Sequence, residues 1–147
     1  MGGIVGGAIG GLILDAAGLI ERVGAIYGAE SAAAGWVASM AHSVVFALLF
    51  AAMVRPEPLY GRMREVFRVG ALAVLWALIL WFVGTVVLMP LWLEFIGSPL
   101  APTIPNLTLG EFTSWLAYGI ALGVLYPLLT GEATRRYDVY RREPPSA

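Results

Sequence analysis

Asp15, Ser39, His42, Thr85 and Tyr118 are polar side chains set inside otherwise apolar stretches of a 147-residue chain. A carboxylate, an imidazole, two aliphatic hydroxyls and a phenol can hold a proton or fix a small polar ligand. A charge in the middle of a membrane-spanning helix costs about 2.5–3.5 kcal/mol, so such groups are candidates for function. Asp15 continues the line of Gly3, Gly7 and Gly11 at four-residue spacing, which predicts that it points into a helix contact. By helical rise Asp15 and His42 differ in depth by about one turn, with Ser39, Thr85 and Tyr118 at comparable depth. The five are therefore expected to form a polar pocket in one half of a bundle, with Asp15 and His42 sharing it. The plainer reading gives Asp15 a structural hydrogen bond or hydration and makes His42 a neutral interior histidine.

One histidine and one carboxylate are too few to hold a metal. Cysteine is absent, which excludes thiol catalysis, disulfides and Cys-ligated metals. There is no GxSxG, no HExxH and no glycine-rich loop ending in Lys-Ser or Lys-Thr. The expectation is no enzyme, no cofactor and no metal. The glycine-rich start superficially resembles a nucleotide loop, but it precedes no strand and lies within an apolar run.

The elements that must position these residues are four apolar runs, near 3–20, 33–54, 66–93 and 112–130, each long enough or nearly so to cross about 30 Å of hydrocarbon. Hydrophobic residues make up 59% and charged residues 13%, far from the roughly 25% charged of a soluble domain. The fold class expected is all-α, a polytopic membrane protein with four transmembrane helices in a compact bundle, forming one domain over 1–142 with a disordered 143–147 tail. Of the nine basic residues, Arg55, Arg62, Arg64 and Arg68 fall in the second connection and Arg135, Arg136, Arg141 and Arg142 in the tail, leaving Arg22 for the other side. The positive-inside rule then predicts a multi-pass protein with both termini in the cytoplasm. The start lacks the basic region of a secretory signal, so the first run reads as a retained helix. A net charge of -1 gives no reason to expect nucleic acid; the lipid bilayer is the expected partner.

Glycines repeat in the first run as two adjacent stripes, Gly2/Gly6/Gly10 and Gly3/Gly7/Gly11. Such stripes let helices meet backbone to backbone, where dispersion drives association. Ser39, Ser43, Ala47 and Ala51, then Gly70, Ala73, Ala77 and Gly84, and finally Gly119 and Gly123 extend the device to the other helices. The stripes predict packing within the chain or, as the alternative, a seam between copies. Residues 21–32 mix apolar and charged positions, as a segment at the headgroup level does. Gly97 to Gly110 contains Pro99, Pro102 and Pro105 and ends in Thr108-Leu109-Gly110-Glu111, a capping-box match opening the last helix. Asn106-Leu107-Thr108 is a glycosylation sequon of low weight. Pro90 is expected to kink or end the third helix. Trp36, Trp92 and Trp115 near one boundary and Tyr60, Tyr137 and Tyr140 near the other read as aromatic belts. Ala41-His42-Ser43 with Leu49-Phe50 aligns with Ala117-Tyr118-Gly119 and Leu125-Tyr126, and Leu12-Ile13-Leu14 with Leu78-Ile79-Leu80, which points to a duplicated helical hairpin.

Gly35-Trp36, His42-Ser43 and Phe46, Leu88-Met89-Pro90, and Tyr118-Gly119 with Gly123 resemble the YagU-like and related small four-helix membrane proteins of bacteria and archaea. The resemblance implies a prokaryotic inner-membrane four-helix protein and brings no catalytic residue with it. Two function classes follow from the sequence. The preferred one is a structural or accessory subunit, or a homo-oligomeric packing unit, that self-associates or joins a larger membrane complex. The alternative is a binder or conduit for protons, ions or a small amphiphile, using the polar pocket in the outer half. A conduit needs a continuous polar path, and the inner halves of the four runs offer only Ser43 and backbone.

Overall fold

The computed structural model describes residues 1–54 and 66–129. Arg55, Arg62, Arg64, Tyr60, Arg135, Arg136, Tyr137, Tyr140, Arg141, Arg142 and the 143–147 tail lie outside the described residues. Those that are described form helices only: α1 (Gly2–Ala16), α2 (Ile20–Ala25), α3 (Ala32–Val54), α4 (Val66–Leu80), a π-helical segment (Trp81–Leu88), α5 (Met89–Phe95) and α6 (Leu109–Leu129). Ala32–Val54, Phe67–Phe95 and Leu109–Leu129 are long and apolar enough to cross a membrane. The described residues are thus all-helical, with the composition and helix lengths of a membrane protein.

The first run behaves differently from the expected fourth crossing. α1 has 15 residues, about 22 Å of helix against about 30 Å of hydrocarbon. It stops early because Gly18, at φ +69°, turns the chain left-handed. Leu19 N–H then donates to Leu14 O at 2.8 Å and Gly18 N–H to Asp15 O at 2.9 Å, while Leu14 and Leu19 pack together. That pair of bonds with its apolar contact is the Schellman ending, which satisfies carbonyls a helix would otherwise leave bare.

The two glycine stripes of α1 face two different helices of the same chain. A methyl group built on Gly3 would lie 2.6 Å from Ala47 Cβ, and one on Gly7 2.5 Å from Ser43 Cβ, both on α3. Gly11 is covered by the Trp36 ring. Methyls on Gly6 and Gly10 would meet Tyr118 and Ser114 of α6, each at 2.9 Å. The second hairpin closes through Gly119, against Ala77 and Val74 of α4, and Gly123, whose added methyl would sit 2.8 Å from Gly70 Cα. Contacts this short require glycine, and they place α1 between α3 and α6. At the Met1 end the remaining space is filled by Phe50, Val54, Val69, Ala73, Ala77 and Leu122, all buried.

Pro90 does not end the third helix, which runs on to Phe95. Proline cannot donate an amide and deprives a carbonyl about one turn back of its partner. Here the backbone N–H of Asn106 donates to Val86 O at 3.2 Å and its side-chain Nδ2 to Thr85 O at 3.3 Å. The loop before α6 therefore serves the two carbonyls at which an α or π bond from residue 90 would have ended.

Candidate functional site

At the loop end, α3 and the π-helical segment part around a cavity of about 170 Å³. The helical spacing of Ser39, His42, Ser43 and Phe46 brings one face of α3 to it, and Glu111, Ser114, Trp115 and Tyr118 bring one face of α6. Gly84 and Thr85 line it from the π-helical segment, Val23 from α2 and Ile26 from the turn that follows α2. Gly84 has open space where a side chain would be, so the small residue that was expected to pack instead leaves room. A groove of about 500 Å³ shares Ile26, His42, Gly84 and Met89 with the cavity. Its other walls, Leu88, Leu91, Trp92 and Phe95, are exposed apolar side chains on a helix long enough to span a membrane. The cavity therefore continues sideways onto the flank of the bundle. Toward the Met1 end it stops at Tyr118, whose OH donates to Ser43 O at 2.9 Å, with the closed Phe50–Leu122 cluster beyond.

Of the five residues expected to share a pocket, Ser39, His42, Thr85 and Tyr118 line this cavity and Asp15 does not. Asp15 is exposed in the last turn of α1 and accepts from Trp36 Nε1 at 3.4 Å. His42 is paired with Tyr27, Oη to Nε2 at 2.6 Å. The Asp15–His42 environment is thus not formed, because Trp36 covers the end of the glycine stripe and Tyr27, carried by the turn after α2, takes the imidazole.

The carboxylate of the site is Glu111, 3% exposed. Arg22 Nη1 lies 3.4 Å from its Oε1, and Asn106 Nδ2 donates to Oε2. The Thr108 hydroxyl donates to Asn106 Oδ1. The capping-box reading of Thr108 and Glu111 placed the helix start at Leu109, where it is found, but the buried carboxylate takes other partners than the N-cap amide, and Arg22 and Asn106 supply them. The sequon has the same fate. Asn106 is buried and its amide is used twice, leaving no accessible nitrogen for a glycan in this fold. Trp115 leaves its expected place in an aromatic belt and turns inward, donating from Nε1 to Thr85 Oγ1 at 2.8 Å. Trp92 keeps an exposed ring and donates to Ile26 O at 2.9 Å, and Ser98 Oγ donates to Glu30 Oε1 at 2.9 Å. These two bonds, with the Arg22–Glu111 pair, clasp α2 and its following turn over the loop end, more closely than a segment lying free at the headgroups.

Glu111, Ser114, Trp115, Arg22 and Asn106 were missed by residue-by-residue reading of the spans. A signal existed for three of them, because Glu111, Ser114 and Trp115 share a helical face with Tyr118. No group of three or more His, Cys, Asp or Glu capable of holding a metal occurs among the described residues. No family model, curated protein or solved structure matches the chain.

Proposed function

We propose that this chain is an integral membrane protein that binds a small amphiphile in the cavity between α3, α6 and the π-helical segment. The observation that carries the reading is the continuity of a polar-dotted cavity with an apolar groove on the bundle's flank through Ile26, His42, Gly84 and Met89. Binding sites are concave and mainly apolar with a few converging polar groups, and a membrane-facing opening admits a molecule whose tail stays in hydrocarbon. A conduit is less well supported, since apolar side chains close the bundle below Tyr118. The packing-unit reading loses its most specific surface, as both glycine stripes are occupied within the chain. Kinship with the YagU-like proteins, a cytoplasmic-membrane location and cytoplasmic termini belong to the same proposal and rest on the sequence motifs and the two arginine clusters. A periplasmic signal from a C-terminal reporter fusion would overturn the orientation.

The binding reading is tested by native mass spectrometry of protein purified in maltoside detergent. An adduct of amphiphile mass is expected, and Gly84→Leu, which puts a side chain into the shared opening, should lower its occupancy at least tenfold while the protein remains folded. Absence of any adduct, or an adduct indifferent to Gly84→Leu, would sink the reading.

A further inference from the structure

We infer that the amphiphile bound in this cavity carries a cationic ammonium head, an inference that rests on the binding reading above. The first reason is the state of the wall hydroxyls. Ser43 Oγ donates to Ser39 O at 2.7 Å, Ser114 Oγ to Gly10 O at 3.0 Å and Tyr118 Oη to Ser43 O at 2.9 Å. A hydroxyl has one proton and two lone pairs, so each of these protons is committed to backbone and lone pairs remain. Two wall hydroxyls keep their protons, Thr85, whose oxygen accepts from Trp115, and Ser39. The wall is richer in acceptors than donors.

Charge points the same way. Glu111 is a lining residue, whereas among the described residues no arginine lines the cavity. A carboxylate offers about four acceptor sites, and Arg22 and Asn106 engage one oxygen each. An anionic head would face Glu111 with no cation on the wall to pair with.

Rings complete the site. Phe46 lies between His42 and Trp115, at centroid distances of 5.9 and 5.8 Å, and Trp115 meets Tyr118 edge-on at 5.9 Å. Aromatic faces attract cations, most strongly where water is excluded, and clusters of them recognise quaternary ammonium groups. The head would lie among Phe46, Trp115, Tyr118 and Glu111, with the tail leaving past Gly84 into the groove.

The test titrates the full chain, in maltoside micelles, with decyltrimethylammonium, decanol and decyl phosphate, following intrinsic tryptophan fluorescence. The ammonium compound should saturate at a concentration at least tenfold below decanol, and decyl phosphate should bind most weakly. Glu111→Gln should weaken ammonium binding about tenfold and leave decanol unchanged. Arg22→Gln, which removes the counter-charge but lies outside the cavity wall, should tighten ammonium binding several-fold. Opposite signs for the two variants separate direct recognition from a structural role, which would weaken every ligand in both; if Glu111→Gln fails to accumulate, the sign for Arg22→Gln decides. Equal affinity for decanol and the ammonium compound, or tightest binding of the phosphate, would overturn the cationic head and leave cavity binding standing. Saturation by none of the three would remove the binding reading itself.

Discussion

Near the Met1 end, the backbones of α4 and α6 approach so closely that a methyl on Gly123 would lie 2.8 Å from Gly70 Cα; near the loop end, a methyl on Gly84 would meet nothing within 4 Å. Both glycines belong to runs of small residues, and the sequence treats them alike. The difference lies in what the opposite helix does. Along α4 the facing positions, Ala73 and Ala77, remain in phase with Gly119 and Gly123, so the seam closes and is held by many weak dispersion contacts. At the π-helical segment the phase changes, α3 and the third helix separate, and polar groups around the space pair with one another and with backbone. Small residues permit close approach, but the partner's geometry decides whether approach or vacancy results.

Four substitutions would break or sharpen this contrast. The largest effect is expected for Gly7→Leu, because the new side chain would begin 2.5 Å from Ser43 Cβ and Oγ; destabilisation should exceed the usual overpacking cost of about 1–3 kcal/mol and abolish a cooperative thermal transition in detergent. Asn106→Ala comes next. It strips Thr85 O and Glu111 of a donor, and with about 1–3 kcal/mol for each buried group left unsatisfied, urea unfolding should register a loss of roughly 2–4 kcal/mol. Trp115→Phe keeps a ring but deletes the bond to Thr85, which should cost about 1 kcal/mol by the same measurement. Gly84→Ala should be the mildest, neutral or stabilising by up to about 1 kcal/mol, since alanine favours helix over glycine and the space is open. A Gly84→Ala variant as unstable as Gly7→Leu would mean that both ends are packed alike.

The three long apolar helices and the glycine faces of α1 were readable because hydropathy and four-residue spacing are local properties of the chain. The paired stripes of α1 even held the information that it touches two neighbours, since adjacent stripes lie on adjacent faces. What escaped was decided by partners distant in sequence. Asp15 lies on the expected stripe, yet Trp36 reaches it first. Glu111 looked like a helix-starting residue because Thr108 stands three positions earlier, and only the fold brings Arg22 and Asn106 to its oxygens. Pro90 read as a kink or a stop, and nothing nearby in the sequence announces that Asn106 would serve the carbonyls it leaves bare. The π-helical segment has no propensity signature in Trp81–Leu88 to distinguish it from the α-helix on either side.

That segment sets the rotational phase of everything after it. Met89 N–H bonds to Gly84 O, five residues back, where an α-helix would use four. Removal of one residue between 81 and 88 would let the stretch rewind as α with Met89–Phe95 held near its present phase, whereas rewinding as α at full length would turn Met89–Phe95 by about 100° about its axis. Met89 and Leu93, now packed against Ala25, would swing toward the bilayer, and the α2 cap would lose the surface it rests on. Because the chain has no cysteine, a disulfide between Ala25→Cys and Leu93→Cys gives a clean reading of that phase: it should form readily in the full-length protein and still form in the one-residue deletion, and its failure at full length would mean that the stretch winds as α throughout. The wide turn absorbs one residue and keeps the loop half of the bundle aligned with its cap, so the winding of this helix, more than its composition, fixes which side chains look into the cavity.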